Sequence, residues 1–313
     1  MIRDEFLWAQ MYRPKSVSEC ILPESLKSTF QSFVDQKEIP NLILSGRSGV
    51  GKTTVARAML EELGCDHILI NGSMNGNIDT LRNDIQQFAS TVSFSGGRKY
   101  VILDEADGLN ASSTQPALRS FMEEFSRNCG FILTCNFKNR IIPAIHSRCS
   151  VIDFEIPKSE RAKMASHFFK RVGAILQTNH VQYDAKVVAE LINMHFPDWR
   201  RVLNELQRYG ARGQIDSGIL SGVTDESYAS LITSMKAKKF TEVRTWVAEH
   251  GDTDPQQIFR MFYDQSANSF KKESIPELVL IIARYMYNQG FVADQEINTV
   301  ACLTEIMVSC EFI

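Results

Sequence analysis

The chain has 313 residues, and its 34 Lys and Arg against 37 Asp and Glu give a formal net charge of −3. This balance excludes a protein that binds nucleic acid simply through a large excess of positive charge. A hydrophobic fraction of 44% with 23% charged residues is typical of globular proteins and excludes disordered and fibrous classes. Because the length exceeds what one hydrophobic core usually supports, we expect two or three domains.

The sequence carries no pattern typical of a membrane protein or a secreted protein. No apolar run reaches the roughly 18 residues that a membrane-spanning helix needs. Residues 1–10 mix charged and aromatic side chains and lack the basic-then-apolar order of a secretion signal. The seven cysteines are scattered without a Cys-x-x-Cys pair, which argues against a zinc ribbon or a thioredoxin-like site. We therefore expect a cytoplasmic protein with buried thiols and no membrane partner.

In the first half of the chain, short apolar runs alternate with longer amphipathic segments. Several runs are continuous in Ile, Leu and Val, as in strands of a parallel sheet that is covered by helices on both faces. The segments between them, such as residues 53–63 and 78–90, are long enough for crossover helices. The sequence therefore predicts an α/β domain whose five parallel strands are residues 41–45, 66–71, 99–104, 130–135 and 151–154.

Beyond residue 157 the pattern becomes helical, and no further strand is predicted. Helical spacing covers residues 158–176, 184–195 and 198–211, with Asp184 and Asp198 as expected N-caps. The polar residues 212–218 predict a linker, after which about five more helices are expected. The chain is therefore predicted to contain an α/β domain at 1–156, a small helical domain at 157–217 and a second helical domain at 218–313.

Residues 46–53, Gly-Arg-Ser-Gly-Val-Gly-Lys-Thr, match the P-loop pattern in full, between a predicted strand and a predicted helix. The glycines of such a loop let backbone N–H groups point at phosphate oxygens near the positive end of the helix. Lys52 supplies charge to the β- and γ-phosphates, and the Thr53 hydroxyl completes the coordination of Mg²⁺. The alternative, a glycine-rich turn with a surface lysine, is disfavoured by this strand–loop–helix context. The predicted phosphate-binding residues are Gly49, Val50, Gly51, Lys52, Thr53 and Thr54.

Asp104-Glu105-Ala106-Asp107 follows the third predicted strand, at the edge where open α/β sheets bind ligands. Asp104 is placed to hold Mg²⁺, directly or through water. Glu105 is placed to orient and deprotonate an attacking water. An acidic tetrad after a strand is usually a solvated turn, but the P-loop upstream makes a hydrolytic centre the favoured interpretation.

Three further residues gain significance from the same context. Asn136 ends the fourth predicted strand, where it can hydrogen-bond the γ-phosphate and the attacking water, although a strand-end Asn is more often a turn former. Arg148 lies in Ser-Arg-Cys and Arg200 in Asp-Trp-Arg-Arg. On the residues alone, both arginines also fit solvated surface groups.

Together these motifs resemble a known family. Residues 8–14, Trp-Ala-Gln-Met-Tyr-Arg-Pro, resemble the Trp-x-x-x-Tyr-Arg-Pro signature that opens clamp-loader ATPase subunits. The P-loop, Asp-Glu-Ala-Asp, Thr-Cys-Asn, Ser-Arg-Cys and Asp-Trp-Arg-Arg-Val-Leu-Asn follow in that family's order, up to residue 204. The chain resembles the ATPase subunits of tailed-phage clamp loaders, which are AAA+ proteins related to the small subunits of replication factor C. The resemblance implies a P-loop AAA+ domain, a helical lid domain and an all-helical collar that mediates oligomerisation.

The resemblance also implies roles for individual residues, with ATP and Mg²⁺ as the ligands. Asn136 matches the first sensor of the family, and Arg200 matches the second sensor, which closes the lid over the γ-phosphate. Arg148 resembles the finger that reaches the ATP of a neighbouring subunit, so catalysis would be completed in trans. The implied adenine pocket consists of Ala9, Gln10, Met11, Tyr12 and Ile21.

The family opens a ring-shaped sliding clamp and places it on primer–template DNA during replication. The resemblance therefore implies a DNA-dependent ATPase, with several copies of this chain and a different loader subunit in a five-membered ring. Arg82 and Lys138 lie in elements that resemble the family's DNA-facing surface and are candidate DNA contacts. Solvated surface charge is the alternative for both residues.

Two other functions are compatible with the same motifs. The first is another AAA+ machine, such as a helicase motor or a protein unfoldase. Residues 72–77 lack the aromatic residue that an unfoldase pore loop needs. The second is a non-hydrolysing scaffold subunit of a loader. Such subunits typically lose P-loop or Asp-Glu residues, and this chain retains all of them.

Overall fold

Five strands form one parallel sheet in the computed structural model of the chain, in the spatial order β2-β3-β4-β1-β5. Each strand begins and ends within one residue of its prediction, because continuous apolar runs give a strong signal when a sheet is covered on both faces. The α/β fold class predicted from the sequence is confirmed. The strands are β1 (Leu42–Ser45), β2 (His67–Asn71), β3 (Lys99–Asp104), β4 (Cys129–Cys135) and β5 (Ser150–Asp153).

The structure describes residues 6–73, 78–93, 97–220, 225–251, 253 and 255–313. The chain divides into two compact units, Met1–Asp216 and Ser217–Ile313. The helices of the first unit are α1 (Trp8–Met11), α2 (Glu24–Asp35), α3 (Lys52–Glu62), α4 (Ile78–Ser90), α5 (Thr114–Glu124), α6 (Pro143–His146), α7 (Arg161–Thr178), α8 (Ala185–His195) and α9 (Trp199–Gly210). Those of the second unit are α10 (Asp225–Lys236), α11 (Phe240–Glu249), α12 (Pro255–Asp264), α13 (Ser266–Ser269), α14 (Ile275–Asn288) and α15 (Gln295–Ser309).

Both faces of the sheet are buried, each in its own hydrophobic cluster. Leu42 and Leu44 of β1 pack on one face, in a cluster that includes Phe30 of α2. Ile43, between them, points to the other face and packs in a cluster that includes Phe131 and Leu118. Since successive side chains of a strand point to opposite faces, burial of all three explains why β1 is apolar at consecutive positions.

Helices α7–α9 contain the N-caps expected from the sequence. The Asp184 side chain accepts a hydrogen bond from the Lys186 N–H at 2.8 Å, and Asp198 accepts one from the Arg201 N–H at 3.0 Å. The prediction that no strand follows residue 157 is wrong, because two parallel two-residue strands, Gln182–Tyr183 and Gln214–Ile215, flank α8 and α9. The second of these lies inside the predicted linker 212–218. Strands of two residues are too short to give a detectable alternation.

The second unit has a core of its own. Phe259, Phe262 and Phe270 are fully buried in it, and the Trp246 Nε1–H donates to the Ser227 hydroxyl at 2.8 Å. Within the described residues of this unit, five helices contain ten residues or more, in agreement with the expected number of about five. Among the described residues, its only strand-like pairing is an isolated bridge between Phe270 and Phe312.

The expectation of buried thiols is met by five of the seven cysteines. All seven are unpaired; Cys65 and Cys149 are half-buried and the other five are buried. Burial raises the pKa of the Cys20 thiol to about 12, as expected for an unreactive core residue. None of the helices within the described ranges is long and apolar enough to span a lipid bilayer.

Candidate functional site

The P-loop joins β1 to α3 through two glycines in the left-handed region of backbone space. Gly49 has φ +76° and Gly51 has φ +97°, conformations that favour glycine over residues with a side chain. Gly51 is the N-cap of α3, which begins at Lys52. The loop therefore curls over the positive end of an 11-residue helix, the arrangement that suits a phosphate group.

The Lys52 ammonium group lies at the centre of this loop and is almost fully buried. It donates hydrogen bonds to the carbonyls of Gly46 at 2.7 Å and Arg47 at 2.8 Å, and to Oδ1 of Asn136 at 3.0 Å. Burial lowers the pKa of Lys52, and the charge of Asp104 opposes part of that shift. The predicted sensor Asn136 is thus brought into direct contact with the P-loop lysine.

Asp104 accepts hydrogen bonds from two threonine hydroxyls. Thr53 Oγ1 lies 2.6 Å from Asp104 Oδ1, and Thr134 Oγ1 donates to the same oxygen. The contact with Thr134 follows from the sheet, because Leu103 of β3 is in register with Leu133 of β4, one residue before each partner. Hydroxyl and carboxylate oxygens are the ligands that Mg²⁺ takes in nucleotide sites, so the Thr53–Asp104 pair fits this ion.

Glu105 presents its carboxylate to the cleft from an exposed position. Its backbone lies in the left-handed region, with φ +55°, and its N–H donates to Thr134 Oγ1 at 3.2 Å. Asp107, the last residue of the tetrad, accepts hydrogen bonds from the backbone N–H groups of Asn136 at 3.2 Å and Phe137 at 3.0 Å. Asp107 therefore connects the acidic loop after β3 to the loop after β4.

One cleft of about 1060 Å³, a volume that includes its open mouth, is lined by Lys52, Thr53, Asp104, Glu105, Thr134 and Asn136. Within the described part of the chain, Gln10, Met11 and Val50 are outside its lining, Met11 being exposed and Val50 buried in the core. The predicted residues that do line it are Ala9, Tyr12, Ile21, Gly49, Gly51, Lys52, Thr53, Thr54, Asp104, Glu105, Asn136 and Arg200.

Part of the cleft lining is apolar and is formed by side chains that the sequence did not single out as site residues. Phe168 and Trp199 pack with their ring centroids 4.3 Å apart, and Leu203 lies beside them in the lining. Trp199 was within reach of sequence reasoning, because it belongs to the Asp-Trp-Arg-Arg motif. Phe168 and Leu203 carried no signal, since apolar residues at helical spacing are normally core.

Helix α7 also holds the N-terminal segment against the cleft. The Arg171 guanidinium donates to the carbonyls of Tyr12 at 2.8 Å and Glu19 at 2.9 Å. The Asn179 side chain donates to the Tyr12 hydroxyl at 2.7 Å. At the start of this segment, the Gln207 side chain accepts from the Trp8 N–H at 2.8 Å. The predicted adenine-side residues are therefore held by the helices that follow the sheet.

Helix α9 approaches the P-loop so closely that only glycine fits at position 49. A Cβ atom on Gly49 would lie 1.9 Å from Oδ1 of Asp198 and 2.8 Å from its Cα. Arg200, two residues further on, is exposed and lines the same cleft, where its charge adds to the burial that lowers the pKa of Lys52. The contact between Gly49 and Asp198 thus fixes how near α9 comes to the phosphate-binding loop.

Arg148, Arg82 and Lys138 do not line this cleft. Arg148 is half-buried beside α6, where it forms an ion pair with Glu123. Lys138 forms an exposed ion pair with Asp153 at 2.6 Å, and the Asp153 hydrogen bond raises the pKa of this lysine. Arg82 is exposed on α4. The geometry of the chain alone therefore leaves these three outside the nucleotide site.

The chain is similar to known proteins over almost its whole length. Residues 42–157 match the ATPase family associated with various cellular activities, and residues 160–221 match the AAA+ ATPase lid domain of sliding-clamp-loader large subunits. The chain is 34% identical to the sliding-clamp-loader large subunit of Enterobacteria phage T4, over 98% of this chain and 97% of that protein. It is 33% identical to the replication factor C small subunit of Sulfolobus acidocaldarius, over 99% of this chain and 98% of that protein.

A solved structure, the RuvB Holliday junction branch migration motor of Thermotoga maritima, superposes with a TM-score of 0.51 at 18% identity, covering 72% of this chain and 80% of that chain. At this level of identity the likeness extends to the fold alone.

Proposed function

Because this chain belongs to the family of sliding-clamp-loader large subunits, which are AAA+ ATPases, we propose that its ATPase activity depends on DNA and loads a sliding clamp onto primer–template DNA. The observation that supports this most directly is the meeting of the P-loop, the Asp104–Glu105 pair and Arg200 around one cleft. Motifs far apart in the sequence supply the groups that phosphoryl transfer to water requires.

In this proposal the cleft binds ATP with its phosphates on the P-loop. Lys52 and the backbone N–H groups of the loop hold the β- and γ-phosphates. Glu105 takes a proton from the attacking water as the water oxygen bonds to the γ-phosphorus and the bond to the bridging oxygen of ADP breaks. Asn136 orients the water and the γ-phosphate. Thr53 and Asp104 hold Mg²⁺, which, when bound, neutralises charge on the phosphate oxygens.

The apolar end of the cleft suits the base. Ala9, Tyr12, Ile21, Phe168 and Leu203 all contribute to the lining, where a purine ring would exchange water contacts for apolar ones. Gln10 and Met11 contribute through backbone position rather than through side chains in the cleft. Val50 contributes its backbone N–H to the phosphates while its side chain packs in the core.

Assembly completes the site in this proposal. Arg148 lies outside the cleft of its own chain, as expected for a residue that acts on the ATP of a neighbour. Such an arginine is worth on the order of 10³–10⁵ in rate in comparable nucleotidases. We propose three domains, at residues 1–156, 157–217 and 218–313, with the last forming the collar of a five-membered ring. Several copies of this chain and one different loader subunit would make up that ring.

DNA is proposed to contact the inner surface of the ring mainly through its phosphates. Arg82 is exposed and accessible for such a contact. Lys138 has to exchange its ion pair with Asp153 for a phosphate oxygen. Because both side chains of this pair are well exposed, the exchange costs little. The net charge of −3 is compatible with this arrangement, since a ring concentrates a few basic groups from several copies.

The test is the steady-state ATPase rate of the chain assembled with its partner loader subunit, its sliding clamp and primed DNA. We expect clamp and DNA together to raise the rate. In the variant Glu105→Gln, ATP binding should persist while turnover collapses. No increase with clamp and DNA would refute the loader role, and unchanged turnover in Glu105→Gln would favour the scaffold alternative. Strand separation of duplex DNA without any clamp would favour a helicase motor.

A further inference from the structure

The guanidinium group of Arg148 is held by four hydrogen bonds within its own chain. Its Nε donates to Oε1 of Glu123 at 2.9 Å, and its Nη2 donates to the same oxygen. Its Nη1 donates to the Ala144 carbonyl at 2.7 Å and to the Ser147 hydroxyl at 3.1 Å. A guanidinium has five N–H donors. Only the second Nη2 proton lacks an acceptor among the described residues.

The Arg148–Glu123 pair is poorly placed to stabilise the fold. The side chains of Arg148 and Glu123 keep 33% and 51% of their accessible surface, so solvent screens the charges. Exposed ion pairs generally add little to the free energy of folding. What the pair does restrict is the orientation of Arg148, whose long side chain has many rotamers of similar energy.

We propose that Glu123 is a positioning residue that holds Arg148 in the orientation in which it reaches the ATP of the neighbouring subunit. Glu123 lies near the C-terminal end of α5, so a rigid helix anchors the end of a flexible side chain. The remaining Nη2 proton can contact a phosphate oxygen while the other four N–H groups keep their partners. A charge that is oriented in advance stabilises a transition state without reorganising at the moment of reaction.

This inference rests on the proposed action of Arg148 in trans, and mixed assemblies test the two separately. Acceptor chains carry Arg148→Ala, so they keep an intact cleft but offer no arginine to a neighbour. Donor chains carry Glu105→Gln, so they offer Arg148 but do not hydrolyse ATP. When both are assembled with the partner subunit, clamp and primed DNA, ATP turnover reports the donor's Arg148 acting in the acceptor's site.

Three further donors each add one change to Glu105→Gln: Glu123→Ala, Glu123→Gln or Glu124→Ala. Glu124 is the matched control, because it is the next residue on the same helix, is exposed and forms no ion pair within the described residues. We expect Glu123→Ala donors to restore about 10-fold less turnover than the Glu105→Gln donors, as displaced catalytic groups do. Glu123→Gln donors keep an acceptor oxygen and should restore turnover to within about 3-fold of the level that Glu105→Gln donors give. Glu124→Ala donors should restore turnover fully to that level.

The donors should bind ATP equally well and enter assemblies of equal mass, because Glu123 lies outside the donor's own cleft. If Glu123→Ala donors restore as much turnover as the Glu105→Gln donors, or more, the positioning role is overturned while the loader proposal stands. If mixing in Glu105→Gln donors raises turnover no further than the two kinds of chain assembled separately, Arg148 does not act in trans. The action of Arg148 in trans and the positioning role of Glu123 are then overturned together. Should Glu123→Ala unfold, the comparison between Glu123→Gln and Glu124→Ala donors decides, because a neutral amide holds a guanidinium less strongly than a carboxylate does. Lower turnover with Glu123→Gln donors supports the positioning role, and equal turnover with the two donors refutes it.

Discussion

The substitution Gly49→Ala tests the contact between the P-loop and helix α9. Alanine at this position meets two obstacles: a backbone with φ +76°, and the Asp198 carboxylate 1.9 Å from its new Cβ atom. Gly64→Ala provides a matched control, because Gly64 has φ +65° but no heavy atom within 4 Å of the added Cβ. The two variants therefore share the backbone strain and differ in the clash.

The expected destabilisation follows from these two terms. A non-glycine residue in the left-handed region costs about 1–2 kcal/mol, which applies to both variants. Inserting a methyl group into a packed contact costs about 1–3 kcal/mol more, which applies only to Gly49→Ala. Each kcal/mol of destabilisation lowers the unfolding midpoint of a unit of this size by about 2–4 °C. The midpoint of Gly49→Ala should therefore lie roughly 2–12 °C below that of Gly64→Ala.

Thermal unfolding followed by circular dichroism, without nucleotide, measures the difference between the two variants. If α9 moves away to relieve the clash, Arg200 moves with it, and the affinity for ATP falls as well. Isothermal titration of ATP into both variants measures that second effect. Equal unfolding midpoints for Gly49→Ala and Gly64→Ala, with ATP affinity as in the unmodified chain, would show that α9 does not contact the P-loop as described.

Two more predictions concern the helices after the sheet. Arg171→Ala removes two charge-assisted hydrogen bonds to the N-terminal segment, so the dissociation constant for ATP should rise about 10-fold. Lys170→Ala changes an exposed neighbour and should leave this dissociation constant unchanged. Equal dissociation constants for the two variants would refute the role of Arg171 in holding the N-terminal segment. Burial tends to raise the pKa of Glu205, but hydrogen bonds from His195 and Arg201 lower it overall. The ionised Glu205 side chain therefore stabilises the fold fully at pH values above the usual glutamate pKa. This stabilisation is lost as the pH falls through the lowered pKa of Glu205 in the folded chain. The gap in unfolding midpoint between the unmodified chain and Glu205→Gln should therefore shrink on acidification, and a constant gap would refute the coupling.

The sheet and the phosphate-binding loop could be predicted because each leaves a local pattern in the sequence. The strand β1 shows this most clearly: burial on both faces makes Leu42, Ile43 and Leu44 apolar at consecutive positions. The P-loop needs glycine at particular φ values and one lysine within reach of them, so its spacing in the sequence is fixed. The Asp184 and Asp198 caps were predictable for the same reason, since a cap bonds to a backbone N–H only two or three residues away.

Contacts between distant segments could not be predicted in this way. Arg171 lies 159 residues from Tyr12, and a lone arginine on a helix carries no signal of the backbone carbonyls that it will meet. The pair between Glu123 and Arg148 depends on how α5 and α6 pack, which periodicity does not determine. The requirement for glycine at position 49 had two causes, and only the loop conformation was visible from the motif. The approach of Asp198 became apparent from the packing of α9.

The positions of the three tryptophans provide a spectroscopic means of following each part of the chain. Trp8 and Trp199 belong to the first unit, and Trp246 lies in the core of the second. Replacing Trp246 with Phe confines the indole emission to the first unit, where Trp199 packs against Phe168 and lines the cleft. The emission of such a variant would report ligand binding without an attached dye. The opposite variant, with Phe at positions 8 and 199, would report the unfolding of the second unit alone.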